Sequence, residues 1–284
     1  MAERNMTVRR LGQRLALQLA CAASYLPATR SRAQAVDVMG LRFPSPVGIA
    51  AGFDRSGRLG RRAARLGFGF TEVGSCTSAE LFEMRPPNAG GRALVGLNLS
   101  LDPTRSSAEL CADLTLAWAQ ADYLMLNLIS PLSAPLLADE RRAQLIDLLR
   151  ALRNRAHALN SCGPRRVPLA VKLRSLPGQV PLALAEVLLE LGFDGLLAAH
   201  DPGPPATRQR YVNWQNDEQQ HLACAQIEQL QRLCGNQLAL MSVGGVQTAA
   251  HLQARMAAGA RLVQVHSALL HEGPYIARRL LVKG

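Results

Sequence analysis

A closed (β/α)8 barrel of the TIM type, an α/β fold with a short N-terminal helical extension, is what this sequence predicts. Three observations carry the prediction. Eight short apolar runs recur along the chain, amphipathic helical patterns alternate with them, and all eight fall within about 230 residues. Strands that are apolar on both faces belong in a parallel sheet covered by helices, and eight such units suit a closed barrel better than an open doubly wound sheet.

The first element is the extension. Residues 1–36 carry six arginines and a single acid, Glu3. Val8, Leu11, Leu15, Leu19, Ala22 and Leu26 recur at helical spacing on one face, with Arg10, Gln13 and Arg14 elsewhere. A basic amphipathic helix over 7–26 that lies on a membrane surface is one reading. A helix packed against the following domain is the second. A targeting sequence is the third, because "LALQLACAASYLPA" resembles the apolar stretch of a signal peptide. Gln18 and the lack of a clean cleavage motif count against export. The expected division is 1–36 as a basic N-terminal segment and 37–284 as the barrel.

The strands then follow in order: "VGIAA" (47–51), "FTEV" (70–73), "LVGLNL" (94–99), "YLMLNL" (123–128), "LAVKL" (169–173), "GLLAA" (195–199), "LALMSV" (238–243) and "LVQVH" (262–266). Helical patterns lie at 58–66, 106–119, 139–159, 180–192, 219–234, 247–258 and 272–281. One unit is defective. Only "GSCTSAELFEMRPPNAGGRA" separates the second strand from the third, so the helix there is stunted or missing.

Composition narrows the function classes. The chain is 48% hydrophobic but has no run of about 18 apolar residues, so a membrane span is not expected. The net charge of +11 is nearly all arginine, with Lys172 and Lys283 the only lysines. With little aromatic interleaving, nucleic acid is not expected as a partner; a phosphorylated small molecule or an anionic lipid surface suits the charge better. Six scattered cysteines with no Cys-x-x-Cys pair argue against zinc and suit a reducing compartment. The expected location is the cytoplasm, with peripheral attachment to the inner face of a membrane left open.

In a barrel the site lies at the carboxyl ends of the strands. Those ends read Gly52–Arg55, Ser75–Thr77, Asn98, Asn127–Ser130, Lys172, His200 with Asp201, Gly244 with Gly245, and His266 with Ser267. In "SVGGV" the glycines let backbone N–H groups approach an anion where a strand gives way to a helix. "VQVHSALL" repeats the arrangement with Ser267 as a hydroxyl donor. Turn chemistry alone is the competing reading, but adjacent turns after the last two strands form the usual phosphate site of such barrels. Lys172 lies in an apolar strand of a chain that otherwise avoids lysine, which suits a charge-stabilising role better than a surface one.

The segments "VMGLRFPSPVGIAAGFDRSG", "LGFGFTEVGS", "ADYLMLNLISP", "VPLAVKL", "GFDGLLAA" and "SVGGV…AAGARLVQVHSALLHEGP" together resemble the dihydroorotate dehydrogenases, above all the class 2, quinone-linked type. The likeness runs in order from Val38 to the C-terminus. It implies FMN as cofactor, oxidation of dihydroorotate in pyrimidine biosynthesis, and a membrane-associated N-terminal helical segment. It further implies that Ser130 is the base, that Asn127 contacts flavin and substrate, and that Asn98 lies by the flavin ring. Lys172 would face the flavin's N1–C2 edge, Ala51 and Gly52 would line the ring, and Gly245 and Ser267 would hold the phosphate. Ser75, Gly244 and His266 would complete the cofactor shell.

Departures from the family pattern fall mainly on the substrate side. Arg55 stands for the lysine of "AAGFDKNG", keeping a cation at a catalytic position with different geometry. The asparagine-rich substrate loop has no counterpart, and Leu132 replaces an asparagine. Ala199, His200 and Asp201 replace "TNT", the "GLSG" glycines are absent, His266 replaces a tyrosine, and Ala268 a glycine. The expectation is a divergent barrel not competent for ordinary dihydroorotate oxidation, a pseudoenzyme or regulatory paralogue. One alternative is a working FMN oxidoreductase, on dihydroorotate with quinone or on a changed substrate. Another is a non-flavin enzyme acting on a phosphorylated small molecule through His200, Asp201 and His266.

Overall fold

The computed structural model describes residues 2–26, 34–83, 86–87, 89–201 and 207–282, with side chains of the first helix from Leu11 onward. Val8, Arg10 and Lys283 lie outside the residues so described. The elements are α1 (Ala2–Ala23), β1 (Val36–Val38), β2 (Leu41–Phe43), β3 (Val47–Ile49), β4 (Phe70–Cys76), α2 (Ser78–Glu83), β5 (Leu94–Ser100), α3 (Ser107–Gln120) and β6 (Tyr123–Asn127). The chain continues through α4 (Arg142–Cys162), β7 (Leu169–Arg174), α5 (Leu182–Glu190), β8 (Gly195–Ala199), α6 (Arg208–Asn213), α7 (Asp217–Cys234), β9 (Ala239–Val243), α8 (Ala249–Ala257), β10 (Leu262–Val265), α9 (Ser267–Glu272) and α10 (Ile276–Leu280).

Strands β3 to β10 form a closed parallel barrel, with β10 returning to pair with β3 through Val263↔Val47 and Val265↔Ile49. The eight apolar runs are its eight strands. Among the described residues the connection between β4 and β5 holds only the six-residue α2, so that helix is stunted. The last helical pattern, 272–281, holds α10, whereas α9 precedes it and lies outside the expected helices; Gly273 at φ 86° and Pro274 separate the two. Residues 60–66, expected as a helix, wind as a tighter 3-10 helix that ends on Gly67 at φ 100°. The fully buried Asp54 caps that turn, its Oδ2 accepting from the backbone of Leu59 at 3.0 Å and Gly60 at 2.9 Å.

The antiparallel β1–β2 hairpin has no counterpart in the sequence reading. Its turn residues, Met39 and Gly40, both have positive φ (54° and 75°), the geometry a two-residue hairpin requires. Met-Gly lacks the Asn-Gly or Asp-Gly signature, which is why pattern reading passes over it. The hairpin delivers Phe43 against Phe70 and Tyr123, with ring centroids 5.3 and 6.0 Å away. Phe70 and Tyr123 begin their strands, so this aromatic cluster closes the amino-terminal end of the barrel and leaves the carboxyl end for a site.

Helix α1 packs Leu17, Ala20 and Cys21 onto the domain, against α9 and the turn at 60–66. The apolar face marked by leucine spacing points the other way: Leu11, Leu15 and Leu19 are 67%, 55% and 54% exposed, and Leu26 is also exposed. The helix therefore has two apolar faces, one packed and one bare. Among the described residues no helix is long and apolar enough to cross a membrane.

Candidate active site

A cavity of about 1520 Å³ opens at the carboxyl ends of the strands. Lys172 on β7 and Gln264 on β10 reach into it, and the backbone after β3 forms one side. Gly244 and Gly245 form another side with Ser267 at the start of α9. Helix α1 crosses the mouth with Gln13 and Leu17, and the Gln13 side chain donates to the carbonyl of Gly52. Of the residues singled out from sequence, Ala51, Gly52, Arg55, Lys172, Ala199, Asp201, Gly244, Gly245, His266, Ser267 and Ala268 line this cavity. Ser75, Asn98, Asn127 and Ser130 do not.

Three of those four are bound to one another. Ser75 Oγ donates to Asn98 Oδ1 at 2.5 Å, and Asn127 Nδ2 donates to the same oxygen at 3.0 Å and to Ser75 Oγ at 2.6 Å. Asn127 Oδ1 accepts from the Ile129 backbone at 3.2 Å. Ser130 belongs to a different unit, the turn after β6. Its Oγ lies 2.8 Å from Ser133 Oγ and accepts from the Ser133 backbone N–H at 3.1 Å. Ser133 Oγ in turn accepts from the Leu101 backbone at 2.7 Å. Arg55 donates to Glu80 at 3.0 Å and to the Ser75 carbonyl at 3.3 Å, an exposed pair that ties the loop after β3 to the stunted α2.

Beneath this layer lies a residue that the sequence reading passed over. Glu72 on β4 is fully buried and accepts from Asn98 Nδ2 at 3.0 Å, from Tyr123 Oη at 3.2 Å and from Gln264 Nε2. Burial pushes its carboxyl up, and the Lys172 charge pulls it back down. Lys172 shows the mirror pattern, lowered by burial and raised by Glu72. The signal was present in "FTEV" and "LVQVH". A polar side chain at an alternate position of an apolar strand points into the barrel interior, where it needs a partner.

The glycine turn has a roof. Gly244 and Gly245 adopt φ 118° and 77°, and a β-carbon on Gly245 would lie 2.1 Å from Trp214 Cε3. Gln220 Nε2 ties the two segments by donating to the carbonyls of Trp214 at 2.7 Å and Gly245 at 2.8 Å. The guanidinium of Arg255, fully buried, donates to Gln220 Oε1 at 2.9 Å. Arg210 and Trp214 line the cavity beside this turn. Both come from α6 and its end, a segment with no periodicity long enough to predict.

His200 does not join His266 at the cavity. Its ring is buried, with Nδ1 2.7 Å from Gln226 Oε1 on α7, and burial together with the Arg255 charge pushes its pKa down to about 3. His266 lines the cavity, and burial followed by the Lys172 charge lowers it to about 4. Asp201 accepts from Trp214 Nε1 at 3.3 Å. His200 is thus held apart from the other two, which both line the cavity, where the Asp201 charge raises the pKa of His266 against the effect of burial. Among the described residues no group of three or more His, Cys, Asp or Glu side chains is placed to hold a metal.

The donor set suits a flat, phosphorylated ring. The cavity has a backbone wall at Ala51–Gly52, a cation and an amide in Lys172 and Gln264, and an anion cradle at Gly244–Gly245 with the Ser267 hydroxyl. These residues fit flavin mononucleotide.

Comparison with known proteins bears on the same region. Residues 94–283 match the family described as dihydroorotate dehydrogenase. The dihydroorotate dehydrogenase (quinone) of Cellvibrio japonicus is 30% identical over 285 residues, covering 84% of this chain and 82% of that protein. The one from Kocuria rhizophila is 31% identical over 309 residues, covering 86% and 83%. Among solved structures, DHODH from Eimeria tenella in complex with ferulenol superposes with a TM-score of 0.73 at 21% identity, over 96% of this chain and 89% of that one. That last likeness is one of fold.

Proposed function

The chain belongs to the dihydroorotate dehydrogenase family, and from that premise we propose that it is an FMN-binding barrel that does not carry out ordinary dihydroorotate oxidation. The observation that carries this reading is Ser130. A serine acts as a base only when a site activates it, and here its hydroxyl is engaged by Ser133, away from the cavity lining.

On this reading Gly244, Gly245 and Ser267 hold the FMN phosphate, and Ala51 and Gly52 flank the ring. Lys172 and Gln264 meet its polar edge, and His266 sits neutral beside Gly52. FMN, when bound, supplies a two-electron acceptor. The chain's contribution is Lys172, whose ammonium form would favour electron density arriving at the edge it faces. Helix α1 limits access of water to that region. Ser75, Asn98 and Asn127 satisfy one another, so a polar substrate would have to break those bonds to be recognised.

A second reading is a working dihydroorotate:quinone oxidoreductase. The relatives' names favour it, as does the presence of Ser130, Asn127 and Lys172 together. Flavin content and anaerobic reduction separate the two. The proposed reading expects yellow protein, or a rise in unfolding temperature with added FMN, and no bleaching by dihydroorotate. Bleaching by dihydroorotate would establish the second reading. Colourless protein with no FMN response would remove both.

The bare leucine face of α1 supports peripheral membrane attachment, with Arg14 exposed on the same helix to meet anionic lipid. A cytoplasmic protein held at the inner face of a membrane fits this arrangement.

A further inference from the structure

The hydrogen bonds that join Ser75, Asn98 and Asn127 trace back to one carboxylate. A carboxylate only accepts, so the Asn98 atom facing Glu72 must be the amide nitrogen. Asn98 Oδ1 then necessarily faces Ser75 and Asn127, which must both donate to it. That leaves Asn127 Oδ1 to take the Ile129 backbone N–H. The polarity of a chain running across β4, β5 and β6 thus starts at Glu72. On its other side the same carboxylate receives Gln264 from β10, which lines the cavity together with the buried Lys172 of β7.

We infer that Glu72 is the positioning residue of this site: from below the cavity it holds the Gln264 amide, it supplies the negative charge that offsets Lys172 within the buried barrel interior, and it dictates which way the Asn98 and Asn127 amides point. The inference rests on the flavin reading only for its consequence at the cofactor. A buried ammonium without a counter-charge is costly and gives up its proton or moves toward solvent. Glutamine at 72 keeps the size but loses the charge, and its amide presents either a donor or an acceptor to Asn98. It therefore removes both functions at once. Tyr123, whose hydroxyl also meets Glu72, keeps its ring in the aromatic plug and has no part in the cavity.

The test is a double-mutant cycle on the full chain, with E72Q, K172M and E72Q/K172M compared in the absence and presence of FMN. Without FMN, the loss in unfolding temperature for the double variant should fall short of the sum of the singles by at least about 5 °C. With FMN, E72Q should weaken binding about tenfold in the Lys172 background and less than about twofold in K172M, read by quenching of flavin fluorescence. The bound flavin should also become harder to reduce in E72Q, with no further change on adding E72Q to K172M, because the charge near the ring is already gone. Additive losses in unfolding temperature would overturn the inference. Wild-type protein that takes up no FMN would overturn the flavin reading instead and leave the FMN-free cycle to decide Glu72. If E72Q alone does not fold, recovery of folded protein in the double variant supports the coupling, and no recovery refutes it.

Discussion

Ser130 and Ser133 meet hydroxyl to hydroxyl at 2.8 Å, and the Ser133 backbone N–H also donates to Ser130 Oγ. The pair closes the turn after β6 and connects through Ser133 to the backbone at Leu101. On the proposed reading Ser130 holds a turn and does not act as a base. S130A should therefore lower unfolding free energy by about 1–2 kcal/mol, measured in urea, while FMN affinity stays within about twofold of wild type. A loss of flavin-linked activity with unchanged stability would contradict this.

The contact of Trp214 with Gly245 sets a second expectation. G245A places a β-carbon against the indole at a backbone angle of φ 77°. It should cost more than about 2 kcal/mol and weaken FMN binding. Removing the ring relieves the collision but not the backbone strain, so W214A/G245A should lose less than the sum of the two singles. Additive losses would mean that the turn has no such roof.

The outward leucines of α1 make few contacts with the domain. L15D and L19D should each change stability by less than about 0.5 kcal/mol, because the side chains are more than half exposed. The same variants should abolish flotation with anionic vesicles, and wild-type binding should weaken as salt rises. Undiminished flotation of both variants would locate attachment elsewhere.

His200 provides a pH test. Its pKa falls from 6.5 to about 3 on folding, so between those values the unfolded chain binds the extra proton. Stability from this group is complete above about pH 6.5 and is lost as pH falls, by up to about 1.4 kcal/mol per unit. H200N should be less stable at neutral pH, because it loses the bond to Gln226, yet should show a flatter decline between pH 6.5 and 4.5. Parallel declines in the two proteins would show that His200 is not held neutral.

The barrel is legible in the sequence because its signals are local. Each strand is an apolar run bounded by polar residues, and the missing length between Cys76 and Leu94 announces the stunted α2 directly. The hairpin of β1 and β2 is not legible, because Met39 and Gly40 carry no strong turn signature and Phe43 shows its purpose only against Phe70 and Tyr123. The leucine face of α1 is visible as spacing. Whether that face meets the domain or the solvent is not, since either arrangement has the same periodicity.

The sequence by itself determined the fold, the family and the set of polar residues at the strand ends, because strand period, turn residues and motif order are properties of neighbours in the chain. Tertiary structure alone decided how those residues divide. Lys172 and the Gly244–Gly245 turn face the cavity, Ser75, Asn98 and Asn127 face one another, and Ser130 faces Ser133. The physical reason is that a buried polar group must find a partner, and the partners come from other strands. Glu72 becomes meaningful only when barrel closure brings β5, β6 and β10 around it.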